Sequence, residues 1–131
     1  MLKETRQSAS LADDFAIPTT YAGTTPDVTL TYASAPVGKY MIGYNMDLNF
    51  DGVKDKAIGW RELGTHADET VEYSAEVSAS SSDTHRNRAY FEEIDHAGGD
   101  IVTGLQFRAI DGNTTFTVVT CDIYIKRAGN L

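Results

Sequence analysis

A single cysteine, Cys121, leaves the chain with no internal disulfide. It lies mid-strand on an apolar face, which reads as a buried, inert thiol rather than a nucleophile. Basic residues are also scarce, 11 against 19 acidic ones, for a net charge of −8. That balance argues against binding nucleic acid by phosphate neutralisation and against docking on an anionic membrane. No stretch approaches about 18 consecutive apolar residues, so no transmembrane helix is expected. The opening Met1–Arg6 lacks an apolar core and does not read as a secretory signal. Helical periodicity is missing, except for a weak hint in the polar opening residues. There is no phosphate loop, no paired-cysteine metal site and no catalytic triad, so the chain is not expected to be an enzyme. No catalytic, cofactor-binding or metal-ligating residue is assigned.

What the sequence does have is alternation. Tyr40, Ile42, Tyr44, Met46, Leu48 and Phe50 are apolar at every second position, with Gly43, Asn45, Asp47 and Asn49 between them. A period of two over that length predicts a long β-strand with one buried and one wet face. Asp51-Gly52 ends the run as a turn signal, and Ala57–Leu63 reads as the strand's antiparallel partner. Similar segments cover 15–21, 28–32, 71–77, 88–94, 101–109 and 114–126, separated by Gly-, Asp- and Ser-rich turns. Ser80-Ser81-Ser82-Asp83 reads as a flexible loop and Asp111-Gly112-Asn113 as a second hairpin turn. With 131 residues, 41% of them hydrophobic, the chain can bury one real core. About eight short strands predict an all-β, jelly-roll-like antiparallel sandwich. Residues 15–131 form the single domain, after a polar arm or tail over residues 1–14.

Few side chains point to chemistry. Asp47, Asn49, Asp51, Gly52 and Asp55 follow a calcium-loop spacing, but position twelve is Ile58 where an EF-hand needs Glu. The pattern reads first as a strand with a polar face, and whether these oxygens hold calcium stays open. His66, His85 and His96 fall in separate predicted loops and read as surface imidazoles. Glu92 and Glu93, adjacent on a strand, face opposite ways and make no acid–base pair. Arg86 and Arg88 can share one strand face, either solvated or paired with acidic residues of another subunit. Tyr21, Tyr32, Trp60, Tyr73, Tyr90 and Tyr124 offer material for a sugar platform, but their dispersal favours core and interface.

The order of these features resembles a known family. A Gly38-Lys39-Tyr40-Met41-Ile42-Gly43-Tyr44 strand follows a polar loop, and Ile58-Gly59-Trp60-Arg61-Glu62-Leu63 comes after the turn. Gly98-Gly99-Asp100 precedes the strand Ile101–Ala109, and Cys121–Arg127 closes the domain. The pattern, over about residues 15–128, is similar to small jelly-roll domains of tailed-phage virion proteins, with a tumour-necrosis-factor-like or complement-head-like fold. The resemblance implies a homotrimer on the virion exterior, a capsid decoration or head-fibre protein whose partner is the major capsid protein or another virion protein. The arm over 1–14 is then the expected tether. Two alternatives stand beside it. One is a receptor- or glycan-binding fibre tip, with its site in loops 64–70, 80–88 and 95–100. The other is a carbohydrate-binding module that uses calcium at Asp47, Asn49, Asp51 and Asp55.

Overall fold

The computed structural model describes residues 6–78 and 85–130. Nine strands run in chain order: β1 (Arg6–Ser10), β2 (Phe15–Ala16), β3 (Val28–Ala35), β4 (Gly38–Asn49), β5 (Lys56–Gly64), β6 (Tyr73–Val77), β7 (His85–His96), β8 (Gly99–Ala109) and β9 (Thr117–Gly129). They form two antiparallel sheets. The first has the order β1-β9-β4-β7, with β2 added on β9, and the second the order β3-β8-β5-β6. From β3 onward every connection except β5–β6 crosses between the sheets. That winding is a jelly roll, and the fold is the all-β sandwich that the turn spacing predicts.

The alternating run behaves as its pattern demands. Tyr40, Ile42, Tyr44, Met46, Leu48 and Phe50 are all buried, and β4 pairs with β9 on one side and β7 on the other. Their inner faces meet Ile58, Trp60, Leu105 and Phe107 of the second sheet in one apolar cluster. Burying each such side chain contributes about 1.5–3 kcal/mol, which the ordering of the chain largely offsets.

The expected β4–β5 hairpin is not formed, because the two strands lie in different sheets. Asp51 and Gly52 do turn, with φ of 50° and 74°, but Asp55 takes a second left-handed conformation at 57°. Together these carry residues 50–55 across the end of the sandwich. Asn49 Oδ1 accepts the Asp51 N–H at 2.8 Å and locks the turn. Phe50 plugs this end, edge-on to Phe116 at 5.1 Å between ring centroids. Phe116 belongs to the β8–β9 connection, so the Asp111-Gly112-Asn113 turn also crosses between sheets and is not a hairpin.

Two further expectations change. The described part of the 1–14 arm is not a free tail. Arg6–Ser10 pairs antiparallel with β9 as an edge strand, and Leu11 is buried with its N–H on the Cys121 carbonyl at 2.9 Å. An edge strand needs little apolar patterning, so its polar sequence hid it. The first predicted strand, 15–21, shrinks to the two residues of β2. There the chain leaves for the second sheet, where the Pro18 carbonyl accepts the Ala109 N–H at 2.8 Å. The Ser80–Asp83 loop lies outside the described residues. Cys121 is buried, and burial pushes its thiol pKa up to about 12, which suits an inert side chain.

Phe50→Ala is expected to lower the unfolding free energy by about 3–5 kcal/mol, as for a fully buried aromatic. Urea denaturation measures it. A loss below about 1 kcal/mol would show that the Phe50–Phe116 plug does not hold the sheets together.

Candidate functional site

The two outer faces of the sandwich are finished differently. On the second sheet, residues 18–27 lie across the strands as a strap. Gln106 Nε2 reaches the carbonyls of Ala22, Gly23 and Thr25, each at 3.3 Å, and Arg61 donates to Gln106 Oε1 at 2.8 Å and to the Gly23 carbonyl at 2.6 Å. Tyr21 lies under the Arg61 guanidinium at 4.4 Å and donates its hydroxyl to Glu72 Oε2 at 2.6 Å. Arg108 grips both Glu72 oxygens at 2.6 and 2.9 Å, which holds that carboxyl below the usual carboxylate range. Gly104 makes room, since a Cβ there would sit 2.8 Å from the Pro26 side chain.

Among the described residues, no such strap lies on the outer face of the first sheet. At its centre Gly43 pairs with Phe91 on β7 and Tyr124 on β9. The Tyr124 ring lies over Gly43, where a Cβ would come within 2.5 Å of the ring. Its hydroxyl reaches Met41 Sδ at 3.8 Å, and the Arg6 guanidinium covers the ring at 4.6 Å. Phe91 stands out from this patch at 63% exposure, the largest value among the described large hydrophobic side chains. Polar and charged groups rim it. Lys39 contacts Asp95 at 3.3 Å and Glu93 at 3.7 Å, Ser10 bonds Asp122, and Asp47 meets His85 at 3.0 Å. An open depression of about 370 Å³ lies beside Asn45, Asp47, Asn87 and Thr120.

A second feature lies at the open edge between the sheets. β6 pairs with β5 only as far as Trp60 opposite Tyr73, which leaves Arg61–Gly64 with no paired strand on that side among the described residues. Four rings gather there. Tyr44 stacks on Tyr90 at 5.7 Å, Trp60 on Tyr73 at 6.3 Å, and Tyr73 meets Tyr90 at 5.6 Å. Trp60 Nε1 donates to the Tyr44 hydroxyl at 3.0 Å. Glu62 points inward beside them, and its Oε1 is buried with no hydrogen-bond partner among the described residues. Burial, then the charge of Glu92, raises its pKa, while hydrogen bonds from Tyr73 and Tyr44 oppose the rise.

His66 and His96 meet at 3.2 Å, and His96 is buried at 2% exposure. This replaces the expectation of separate surface imidazoles, since His85 and His96 are also the end residues of β7. Arg86 and Arg88 do share a face, opposite Leu48 and Met46, and donate to the His85 and Asn87 carbonyls. Of the loops expected to form a glycan site, 64–70 and 95–100 meet through the two histidines, but His85–Arg88 lies at the other end of the sandwich. Residues 80–84 lie outside the described residues. Asp47, Asp51 and Asp55 are not drawn together into a metal-holding group among the described residues.

The edge feature was missed in the sequence, yet it left a signal. Glu62 shares the period-two face of Ile58 and Trp60, and Glu92 that of Tyr90 and Ile94. A carboxylate at an inward position is the mark of a site.

No family model matches the chain, and no curated protein is similar to it in sequence. Solved structures share its fold. The VP2 subviral particle of infectious bursal disease virus aligns with a TM-score of 0.57 at 10% identity, covering 97% of this chain and 33% of that one. A structure of the Gx strain of infectious bursal disease virus aligns at 0.53 and 14% identity, covering 95% and 32%. A sugar-binding protein, the EclA C-terminal domain, aligns at 0.50 and 10% identity, covering 94% and 81%. The chain thus spans about a third of the length of the capsid chains it matches.

Glu62 supplies a pH test. Its folded-state pKa lies above the ordinary 4.5, so the fold favours the protonated carboxyl and loses stability as the pH rises from that value through the folded pKa. Glu62→Gln cannot ionise and is expected to flatten this fall. Urea unfolding between pH 4.5 and 7.5 reads it, and an unchanged slope in the variant would show that Glu62 carries no penalty.

Proposed function

We propose that this domain is a structural protein of a virion exterior, a capsid decoration or head-fibre protein that acts as a homotrimer and binds the capsid. The observation that carries the reading is the contrast between the outer faces. The chain covers one with its own residues 18–27 and leaves Phe91, midway along the edge strand β7, bare at 63% exposure on the other. A contiguous apolar patch with a polar rim is the form of an interface. The fold shared with viral capsid chains supports the virion setting, and the scarcity of chemistry in the sequence suits a mechanical part.

Such a part works by stiffness and edge control. A closed sandwich deforms little, and packing the bare faces of neighbours about a symmetry axis removes water from Phe91, Met41 and Tyr124. Arg6, Lys39 and Lys126 alternate with Glu93, Asp95 and Asp122 around the patch, which allows opposite charges to meet across copies. Attachment to the capsid belongs to surfaces that this packing leaves free. A tether in residues 1–14 would have to lie before β1, because Arg6–Ser10 is committed to the sheet.

Light scattering is expected to give about three times the 14.3 kDa chain mass. Phe91→Asp, a change at an exposed position, is expected to give the single-chain mass with its strand signal intact. A wild-type monomer would remove the reading. Binding to a glycan array without binding to capsids would move the protein to the receptor-binding class.

A further inference from the structure

We propose that the cavity at the open edge of the sandwich, between Glu62 of β5 and Glu92 of β7, is a receptor for a primary ammonium group. The inference stands apart from the virion reading and rests on different residues.

The cavity is small and lined from both sheets by Ile42, Glu62, His66, Glu92, Val102 and Thr103. Its volume of about 10 Å³ admits one water-sized group. A guanidinium or a sugar ring is too large for it, whereas an ammonium head is close to the size of water.

The chemistry of the lining points the same way. Glu62 Oε1 is buried without a hydrogen-bond partner among the described residues. Leaving a buried acceptor unpaired is destabilising, the more so when it is charged. Glu92 faces the same space from the opposite sheet, directly across from Ile42 in register. The His66 ring adds a third acceptor. His96 Nε2 lies 2.9 Å from the Gly99 carbonyl, which can only accept, so the proton of neutral His96 sits on Nε2 and its Nδ1 has a lone pair. His66 Nε2 must then donate to that Nδ1 across 3.2 Å, which leaves His66 Nδ1 as an acceptor. Two carboxylates and an imidazole lone pair suit a ligand that only donates. An ammonium group brings three N–H donors and the positive charge that relieves two like charges held close together. Anions are excluded, and the net charge of −8 draws cations toward the domain.

The ammonium can belong to a lysine side chain of a partner protein or to a free small amine, and the experiment separates the two. Trp60 is the chain's one tryptophan, and its indole donates to the Tyr44 hydroxyl beside Glu62. Its fluorescence therefore reports on the site. The full chain is titrated with methylammonium chloride, tetramethylammonium chloride and sodium chloride at matched ionic strength. Saturable change with methylammonium alone is expected, and Glu62→Gln is expected to weaken it about ten-fold or more, as loss of a charge-assisted hydrogen bond would. Glu92→Gln is a second variant that removes the facing charge and keeps the conclusion testable should the first fold poorly. An acetyl-capped lysine tripeptide, compared with its Nζ-acetylated form, then identifies the source. Tighter binding of the lysine peptide than of methylammonium assigns the site to a protein partner, and equal or weaker binding assigns it to a free amine. Equal responses to all three salts, or no saturation, would overturn the proposal and leave the cavity to a water molecule.

Discussion

The inner face of β4 is the surface on which both sheets close. Its six alternating apolar side chains, from Tyr40 to Phe50, are buried at the middle of the first sheet. With only strands among the described elements, a second sheet covers that face, and the chain crosses between layers after β4 and at nearly every later connection. The aromatic members keep their polar tips satisfied inside. The Tyr40 hydroxyl donates to the Pro36 carbonyl at 2.7 Å, and the Tyr44 hydroxyl accepts from Trp60. A one-residue slip of β4 would bury Asn45, Asp47 and Asn49 instead, so the register is fixed by the cost of burying those groups.

From this closure follow two places where the fold is unfinished. The first sheet's outer face bears Phe91 and Tyr124 around Gly43, where the absence of a side chain lets Tyr124 lie flat. The second place is the edge beyond Tyr73, where β6 ends while β5 and β7 run on. There inward side chains reach partial solvent, and Tyr90 is 38% exposed on what is otherwise a core-facing position. The inward Arg86, Arg88 and Glu92 also place charge along an edge strand, which discourages pairing with stray strands. One unfinished place is broad and apolar, the other narrow and rich in acceptors. They suit different occupants.

Much of the architecture was legible because period-two patterning is a local signal. The β4 strand, the burial of Cys121 and the sandwich class all follow from it. The crossing from β4 to β5, where a hairpin was expected, was not legible, because Asp51-Gly52 is the same turn signal whether the next strand pairs or crosses, and the left-handed conformation of Asp55 is not announced by its sequence. The β1 strand was hidden for the opposite reason, since Arg6–Ser10 draws its stability from backbone pairing and not from a buried face. The edge site depends on distant residues. Glu62 and Glu92 are 30 positions apart in sequence, as are His66 and His96, and only the jelly-roll winding sets β5 and β7 on facing sheets.

The central claim is that the bare face of the first sheet is an assembly surface. Hydroxyl-radical footprinting of the intact chain, read by mass spectrometry over a dilution series, tests it most directly. Phe91 and Met41 should be shielded at high concentration and become reactive on dilution, while Tyr21 in the strap on the opposite face keeps a constant rate. If Phe91 is oxidised at every concentration at the rate its 63% exposure dictates, the face is open in solution and the claim fails.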